Sequence, residues 1–316
     1  MKAYKGFNRN MTCRDFQYKE GESYETEEAK LCECGFHACQ APIDVFSYYS
    51  PGSSEYHEVN LEDVSDERNF DTKVCAKKIK IGEKLSITKL IELQIEYTKA
   101  HCKIEHSAGD RESVTVRKDY SVATAGNFGA ATAGDHSIAT VDNRGAATVD
   151  ENGVATANNR GAVTAGAYSV ATAGNSGAAT ADRCGAATVG MYGAANVGNS
   201  GVAVAGNGGV AKVRDSGLAT AGNYGVAVAE YDSVAKAGDL GVAVSRSHSS
   251  VGENGLAFAR GNDVRAKGDL GSIIFIIEEQ DLNYDIREWK AGVIDGKTLK
   301  PNTWYKLKNG EFVECE

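Results

Sequence analysis

The sequence predicts a mainly β protein built on a parallel β-solenoid, with two strands in each sixteen-residue coil. A small α+β domain precedes it and a capping hairpin follows it. Three observations carry this reading. From about Ser113 to Ser249 the chain advances in steps of eight residues, as in Gly177-Ala178-Ala179-Thr180-Ala181-Asp182-Arg183-Cys184. The second position alternates large and small through Val122, Ala130, Ile138, Ala146, Val154, Ala162, Val170 and Ala178. Serine replaces glycine at the first position at Ser121, Ser137, Ser169, Ser233 and Ser249, all separated by multiples of sixteen. Alternate octapeptides therefore occupy different environments. Two strands per coil explain that; a three-strand coil does not. Roughly ten coils at about 4.8 Å each make a rod on the order of 45 Å long.

Within the octapeptide, positions six to eight favour Gly, Asn and Asp, which is turn chemistry. Position three is nearly always Ala and position five Ala or Val, whereas position four tolerates charge, as at Lys212 and Lys236. Side chains alternate across a strand, so positions three and five are predicted to face inward and positions two and four outward. Alanine inside implies two closely spaced sheets. The composition agrees: 36 glycines, 3 prolines and 8% aromatic residues suit thin, regular layers better than a thick core.

The other elements follow in order. Three segments are expected: 1–112, 113–271 and 272–316. In the first, "LCECGFHACQ" gathers Cys32, Cys34, His37 and Cys39, with Cys13 upstream. Thiolates and imidazole are zinc ligands. Cys13, Cys32, His37 and Cys39 are therefore weak metal candidates, because C-x-C-x-x-H-x-C is not a common ligand spacing and no second pair follows. The blander alternative is a compact turn, and no metal or cofactor is expected. His37 and Cys39, two apart on a strand, could meet as a nucleophile pair, but no orienting group or oxyanion site is identifiable, so no catalytic residue is assigned. "DVFSYY" from Asp44 reads as a core helical turn, and "SITKLIELQIEYTKAHC" as a helix with apolar residues at 87, 90, 91 and 95 and Ser86 as N-cap. This helix is expected to cover the first coil. The octapeptide shortens to six residues around Ser249–Asn254, where a bulge or loop is expected. "SIIFIIEE" is a bulky strand closing the last coil, and the tail reads as a hairpin turning at Lys308-Asn309-Gly310.

The formal charge is −9, from 34 basic and 43 acidic residues, with the repeat near neutral and the acid excess in its flanks. No basic stripe points to nucleic acid. The N-terminus lacks an apolar stretch of signal-peptide length and no run is long enough to span a membrane, so a soluble intracellular protein with reduced thiols is expected. Threonines at position four, from Thr124 to Thr188, form outward rows resembling ice-binding faces, but later Val and Lys interrupt them and a strand-former reading suffices. Calcium is not expected, since acids are irregular and the step is eight.

From Val202 onward the outward positions turn apolar. Val202, Val210, Leu218, Val226, Val234 and Val242 at position two, with Val204, Val228 and Val244 at position four, are read as a partner-binding or homodimer face.

The stretches "AYKGFNRNMTCRDFQYKEGESYE" and "CECGFHACQAPIDVFSYY", the octapeptides and the tail "KPNTWYKLKNGEFVE" resemble a family of uncharacterised bacteriophage and prophage proteins. Cys34 and Asp15 depart from it, standing where small residues are usual. The resemblance implies a phage origin and the cytoplasm of a bacterial host, and it offers no catalytic residues. The expectation is a non-enzymatic accessory protein that uses its solenoid to bind a protein, such as a host defence protein, in the manner of an anti-CRISPR. The competing expectation is a small enzyme or nucleotide-binding module in residues 1–112 or at the solenoid turns, where backbone amides form anion nests.

Overall fold

The computed structural model describes residues 1–67, 72–280 and 284–315. The chain divides into two compact units, Met1–Cys102 and Lys103–Glu316.

In the first unit, strands β1 (Lys2–Asn8), β4 (Ser23–Glu25), β5 (Phe36–Cys39), β6 (Ser54–Val64) and β7 (Lys73–Leu85) form an antiparallel sheet, and β2 (Thr12–Cys13) pairs with β3 (Phe16–Gln17). The long β7 pairs with β5 on one side and β6 on the other, so β1, β5, β6 and β7 close on themselves. Phe7, Phe36, Leu61, Ile79 and Ile81 fill the interior. A 3₁₀ segment, Pro42–Ser47, is the helical turn read from "DVFSYY", with Pro42 to Phe46 buried. Helix α1 (Ile87–His101) starts where the sequence places it: the Ser86 hydroxyl accepts from the Lys89 N–H at 3.1 Å. Its buried face is Leu90, Ile91, Gln94 and Thr98, and Gln94 Oε1 accepts from the Ile43 N–H of the 3₁₀ segment at 3.3 Å.

The second unit is a β-solenoid of about 11 turns. Its strands alternate between a thirteen-stranded and a twelve-stranded sheet, and neighbours within each sheet run parallel until the C-terminal end. Residues sixteen apart sit in register, as Val122, Ile138 and Val154 do. The core is a double row of alanines and valines at positions three and five, from Ala123 and Ala125 to Ala257 and Ala259. Thr124, Thr140 and Thr156 stack in one outward row and Thr132, Thr148 and Thr164 in another.

Three coils depart from sixteen. The ladder begins at Ile104, ahead of the visible repeat, and its first coil has one extra residue: Ile104 pairs with Ser121 and Ser113 with Ala130. A later coil is two residues short, with Val234 pairing with His248 and Val242 with Leu256. The shortening sits at the corner 246–247 and leaves both ladders unbroken, so the expected bulge does not form. It also moves Ser249 from the first position to the inward third, opposite Ala235, where its hydroxyl donates to the Phe258 carbonyl at 2.6 Å. The next coil is again one residue longer, with His248 opposite Arg265 and Leu256 opposite Ile273.

The glycines do not do what turn chemistry suggests. The left-handed residue of the corner is position eight, held by Phe128, Arg144, Tyr192 and Tyr224 at φ near 60°. Where position six is glycine it closely approaches the preceding coil instead, although Asp142, Asn158 and Arg214 also hold that position. A Cβ on Gly190 would lie 2.2 Å from Asn175 Oδ1 of the preceding coil.

At the C-terminal end both sheets turn antiparallel. Ile273–Glu279 pairs with Ile286–Val293, and Arg265–Lys267 with Trp304–Lys308. The final hairpin, Trp304–Lys308 with Glu311–Cys315, turns at Asn309 and Gly310, both at positive φ. Ile274, Ile276, Ile294, Leu299, Tyr305 and Leu307 replace alanine and fill the core there. Among the described residues no helix is long and apolar enough to cross a membrane.

Candidate functional sites

Two features stand out, one in each unit. The first is a cavity of about 870 Å³ in the N-terminal unit, lined by parts of β1, the β2–β3 hairpin, β4, the turn before β5, β5, the 3₁₀ segment with the tyrosines that follow it, and the start of β7. The glycines of two sequence motifs shape it. Gly6 on β1 leaves room for the Tyr49 ring, which a Cβ would meet at 2.6 Å. Gly35, at φ 90°, turns the chain into β5 against Ala29 and the Cys75 thiol, where a Cβ would clash. Asp44 in the 3₁₀ segment accepts from the Thr72 hydroxyl at 2.7 Å, fixing that segment to the chain entering β7.

Lys5 forms part of the cavity wall, yet its residue is only 5% exposed. Its ammonium nitrogen donates to the His37 carbonyl at 2.9 Å and lies 3.7 Å from Cys13 Sγ. The Phe7 and Tyr18 ring centroids are 5.4 and 5.7 Å away. Among the described residues no carboxylate forms an ion pair with it. Burial drives its pKa below the usual lysine range; nearby Lys73 adds to this, while Cys13 and Cys39 oppose it. Burial, Lys73 and Lys5 likewise lower the His37 pKa, and its Nε2 accepts the Cys32 backbone N–H at 2.9 Å. Burial raises the Tyr18 and Tyr49 hydroxyls.

The sequence-read cysteine and histidine positions all border this cavity without forming a ligand set. Cys13 faces Lys5, Cys32 lies 3.4 Å from Lys73 Nζ, and Cys39 is buried on β5. No three His, Cys, Asp or Glu side chains among the described residues converge as metal ligands, and none of the eight cysteines is in a disulfide. Sequence reasoning did not find Lys5. The signal was a lysine inside the alternation of an otherwise apolar strand, "AYKGF", where a buried β1 places it beside Phe7.

The second feature is an apolar face on the twelve-stranded sheet near its C-terminal end. Val226, Val242, Leu256, Ile273 and Val293 form one in-register row, and Val228, Val244, Phe258, Phe275 and Ala291 the next. Phe275 stacks on Phe258 at 5.2 Å and meets Trp289 at 5.6 Å. Ile273, Trp289 and Val293 are 44%, 59% and 54% exposed.

Of the nine residues read as a partner face, Val210, Val226, Val228, Val242 and Val244 lie here. Val204 lies half-buried on the other sheet. Val202, Leu218 and Val234 stand outside the core between the sheets, as position two should, but they are buried there, which removes them from an exposed face. They belong to the row Ile138, Val154, Val170, Ala186 on the thirteen-stranded sheet, beside a corner whose own Ala167 and Cys184 are buried. The large–small alternation thus records one enclosed row and one open row, a distinction strand periodicity alone does not make. Leu256, Phe258, Ile273, Phe275 and Trp289 were missed as surface. The alternation in "SIIFIIEE" carried the signal, with Ile274 and Ile276 inside and Ile273 and Phe275 outside.

Residues 1–93 match a family model described as a domain of unknown function, DUF7666. All the residues lining the cavity fall within that span. No curated protein and no solved structure matches the chain.

Proposed function

We propose that this protein is a non-enzymatic binding scaffold whose solenoid holds a flat apolar face against a protein partner. The observation that supports it is the double row from Val226 to Val293, with Phe258, Phe275 and Trp289 grouped on it. Five strands at about 4.8 Å by about 14 Å of strand give a face of about 340 Å², the size of the largest apolar patch on a typical monomer, a patch that is often functional. Aromatic side chains at such a centre are the usual anchors of an interface. That area is too small to hold two copies together by itself, since stable interfaces bury about 800 Å² on each partner. It fits the apolar centre of a wider heterologous interface, whose rim Lys212, in register with Val228, and Arg260, two residues beyond Phe258, would supply. The resemblance of the N-terminal stretches to bacteriophage proteins favours a host protein, such as a defence component, as that partner, and the bacterial cytoplasm as the place.

The experiment compares wild type, the face variant Val228→Thr/Val244→Thr/Trp289→Ser and the control Val204→Thr on the other sheet. Each is purified from bacterial host cells and analysed by native mass spectrometry and light scattering. The expected result is a stoichiometric partner on wild type and control, absent from the face variant, with the free wild type monomeric. A wild-type homodimer lost in the face variant, or the same bound proteins in all three, would overturn the proposal.

A further inference from the structure

We propose that the cavity of the N-terminal unit binds a small ligand with a planar ring and a single anionic group, the chemistry of a nucleoside monophosphate. Lys5 would meet the anion, and the exposed rings of Phe16 and Tyr48 would flank the planar ring. This site is separate from the apolar face and does not depend on it.

Four observations converge. The cavity, about 870 Å³, lies within the range of small-molecule sites. Lys5 is buried in its wall, and among the described residues its ammonium has hydrogen-bond partners in a carbonyl and a thiol but no carboxylate. A buried amine without a counter-charge is costly, and an incoming anion supplies the missing charge. The rings of Phe16 and Tyr48 line the cavity yet remain 46% and 44% exposed, and Lys73 Nζ stands 4.5 Å over Tyr48, so a cation already marks the aromatic wall. Finally, the lining carries Lys5, Arg14 and Lys73 against Asp15, Glu25 and Glu33. That balance suits one anionic group and disfavours a polyphosphate.

The arrangement also predicts a proton. Cys13, Cys39, Lys73, Tyr18 and the His37 carbonyl face Lys5, and burial together with Lys73 holds its pKa down in the free protein. An anion beside it favours the ammonium form. Binding above the depressed pKa therefore draws a proton from solution.

The test is isothermal titration of the full chain at pH values stepped from neutral up to the ordinary lysine pKa, in two buffers of different ionisation enthalpy, the proton balance being read where free Lys5 has lost its proton. The probes are AMP, GMP and UMP, with adenosine, inorganic phosphate and ATP as comparisons. At least one monophosphate should bind tenfold or more tightly than its nucleoside, than phosphate and than ATP, with net proton uptake. Lys5→Met should weaken it tenfold or more. Lys5→Arg, which keeps a permanent charge, should retain binding but lose the proton uptake, and this variant separates loss of the site from loss of the fold. No binding tighter than about 1 mM by any monophosphate, equal affinity for nucleoside and nucleotide, or unchanged binding by Lys5→Met would overturn the proposal.

Discussion

Position one of each octapeptide and position five of the strand before it constrain each other. On the corner leading into the thirteen-stranded sheet, serine follows alanine: Ala133 with Ser137, Ala165 with Ser169, Ala229 with Ser233. Glycine follows valine: Val149 with Gly153, Val197 with Gly201, Val213 with Gly217. Ala181 with Gly185, after the buried Cys184, and Val116 with Ser121, across the first corner with its extra residue, are the exceptions. The cause is space. The contact that alanine lacks is with the valine Cγ: a Cβ on Gly153 would stand 3.0 Å from Val149 Cγ2, and one on Gly201 only 2.3 Å from Val197 Cγ1. Where alanine leaves room, the serine hydroxyl accepts a backbone N–H from the coil before, Gly153 to Ser169 and Gly217 to Ser233, both at 3.0 Å. Gly153→Ser alone should therefore cost about 1–3 kcal/mol by overpacking. Combined with Val149→Ala it should cost about 1 kcal/mol less than the two single changes added together. Urea melts of the four proteins decide it, and simple additivity would refute the spatial explanation.

At the scale of the strand, the core tolerates little because both sheets contribute methyl groups. Ala179 is fully buried, with Val163 and Ala195 in the coils on either side, whereas Thr180 beside it is exposed. Ala179→Leu should lower stability by about 1–3 kcal/mol or more, and Thr180→Leu by less than about 0.5 kcal/mol. Equal shifts in their melting curves would show that the assignment of faces is wrong. That assignment was legible because position four accepts lysine and positions three and five do not. The helix at Ile87 and the Asn309-Gly310 hairpin were legible for similar local reasons, a capping serine and a turn dipeptide. The corner ladder was not. Asn143, Asn159 and Asn175 lie sixteen apart, and side-chain oxygens on this corner accept backbone N–H groups from the next coil, as Asn159 does from Asn175 at 3.1 Å and Asn175 from Met191 at 2.8 Å. In sequence those asparagines look like ordinary turn residues; only the stacking of coils gives their amides a second role. The cavity was hidden for the same reason. Lys5, Cys13, His37 and Lys73 converge through strand pairing, and no spacing along the chain announces it.

At the scale of the whole solenoid, stability is shared among neighbouring coils and the last coil has no successor. The end must satisfy a row of backbone groups and cover an alanine-sized core that would otherwise open to water. Here the antiparallel hairpin does both. Its first strand pairs with Arg265–Lys267, and Tyr305 and Leu307 reach the core, with the Tyr305 hydroxyl accepting from the Lys300 N–H at 2.7 Å. Removing residues 301–316 should leave the remaining parallel ladders intact but expose the strand Arg265–Lys267 as an edge and uncover Ile274, Ile276 and Leu299. Such an edge pairs most readily with another edge, so the truncated chain should form concentration-dependent, elongated β-rich assemblies by sedimentation and electron microscopy. The full chain at the same concentration should not. Because the face variant Val228→Thr/Val244→Thr/Trp289→Ser alters the side of the rod and not its end, adding those changes to the truncation should leave the assemblies in place. A truncated protein that stays monomeric and melts within a few degrees of the full chain would mean the hairpin is not a cap. The preceding antiparallel strand, Ile286–Val293, would then suffice to end the solenoid.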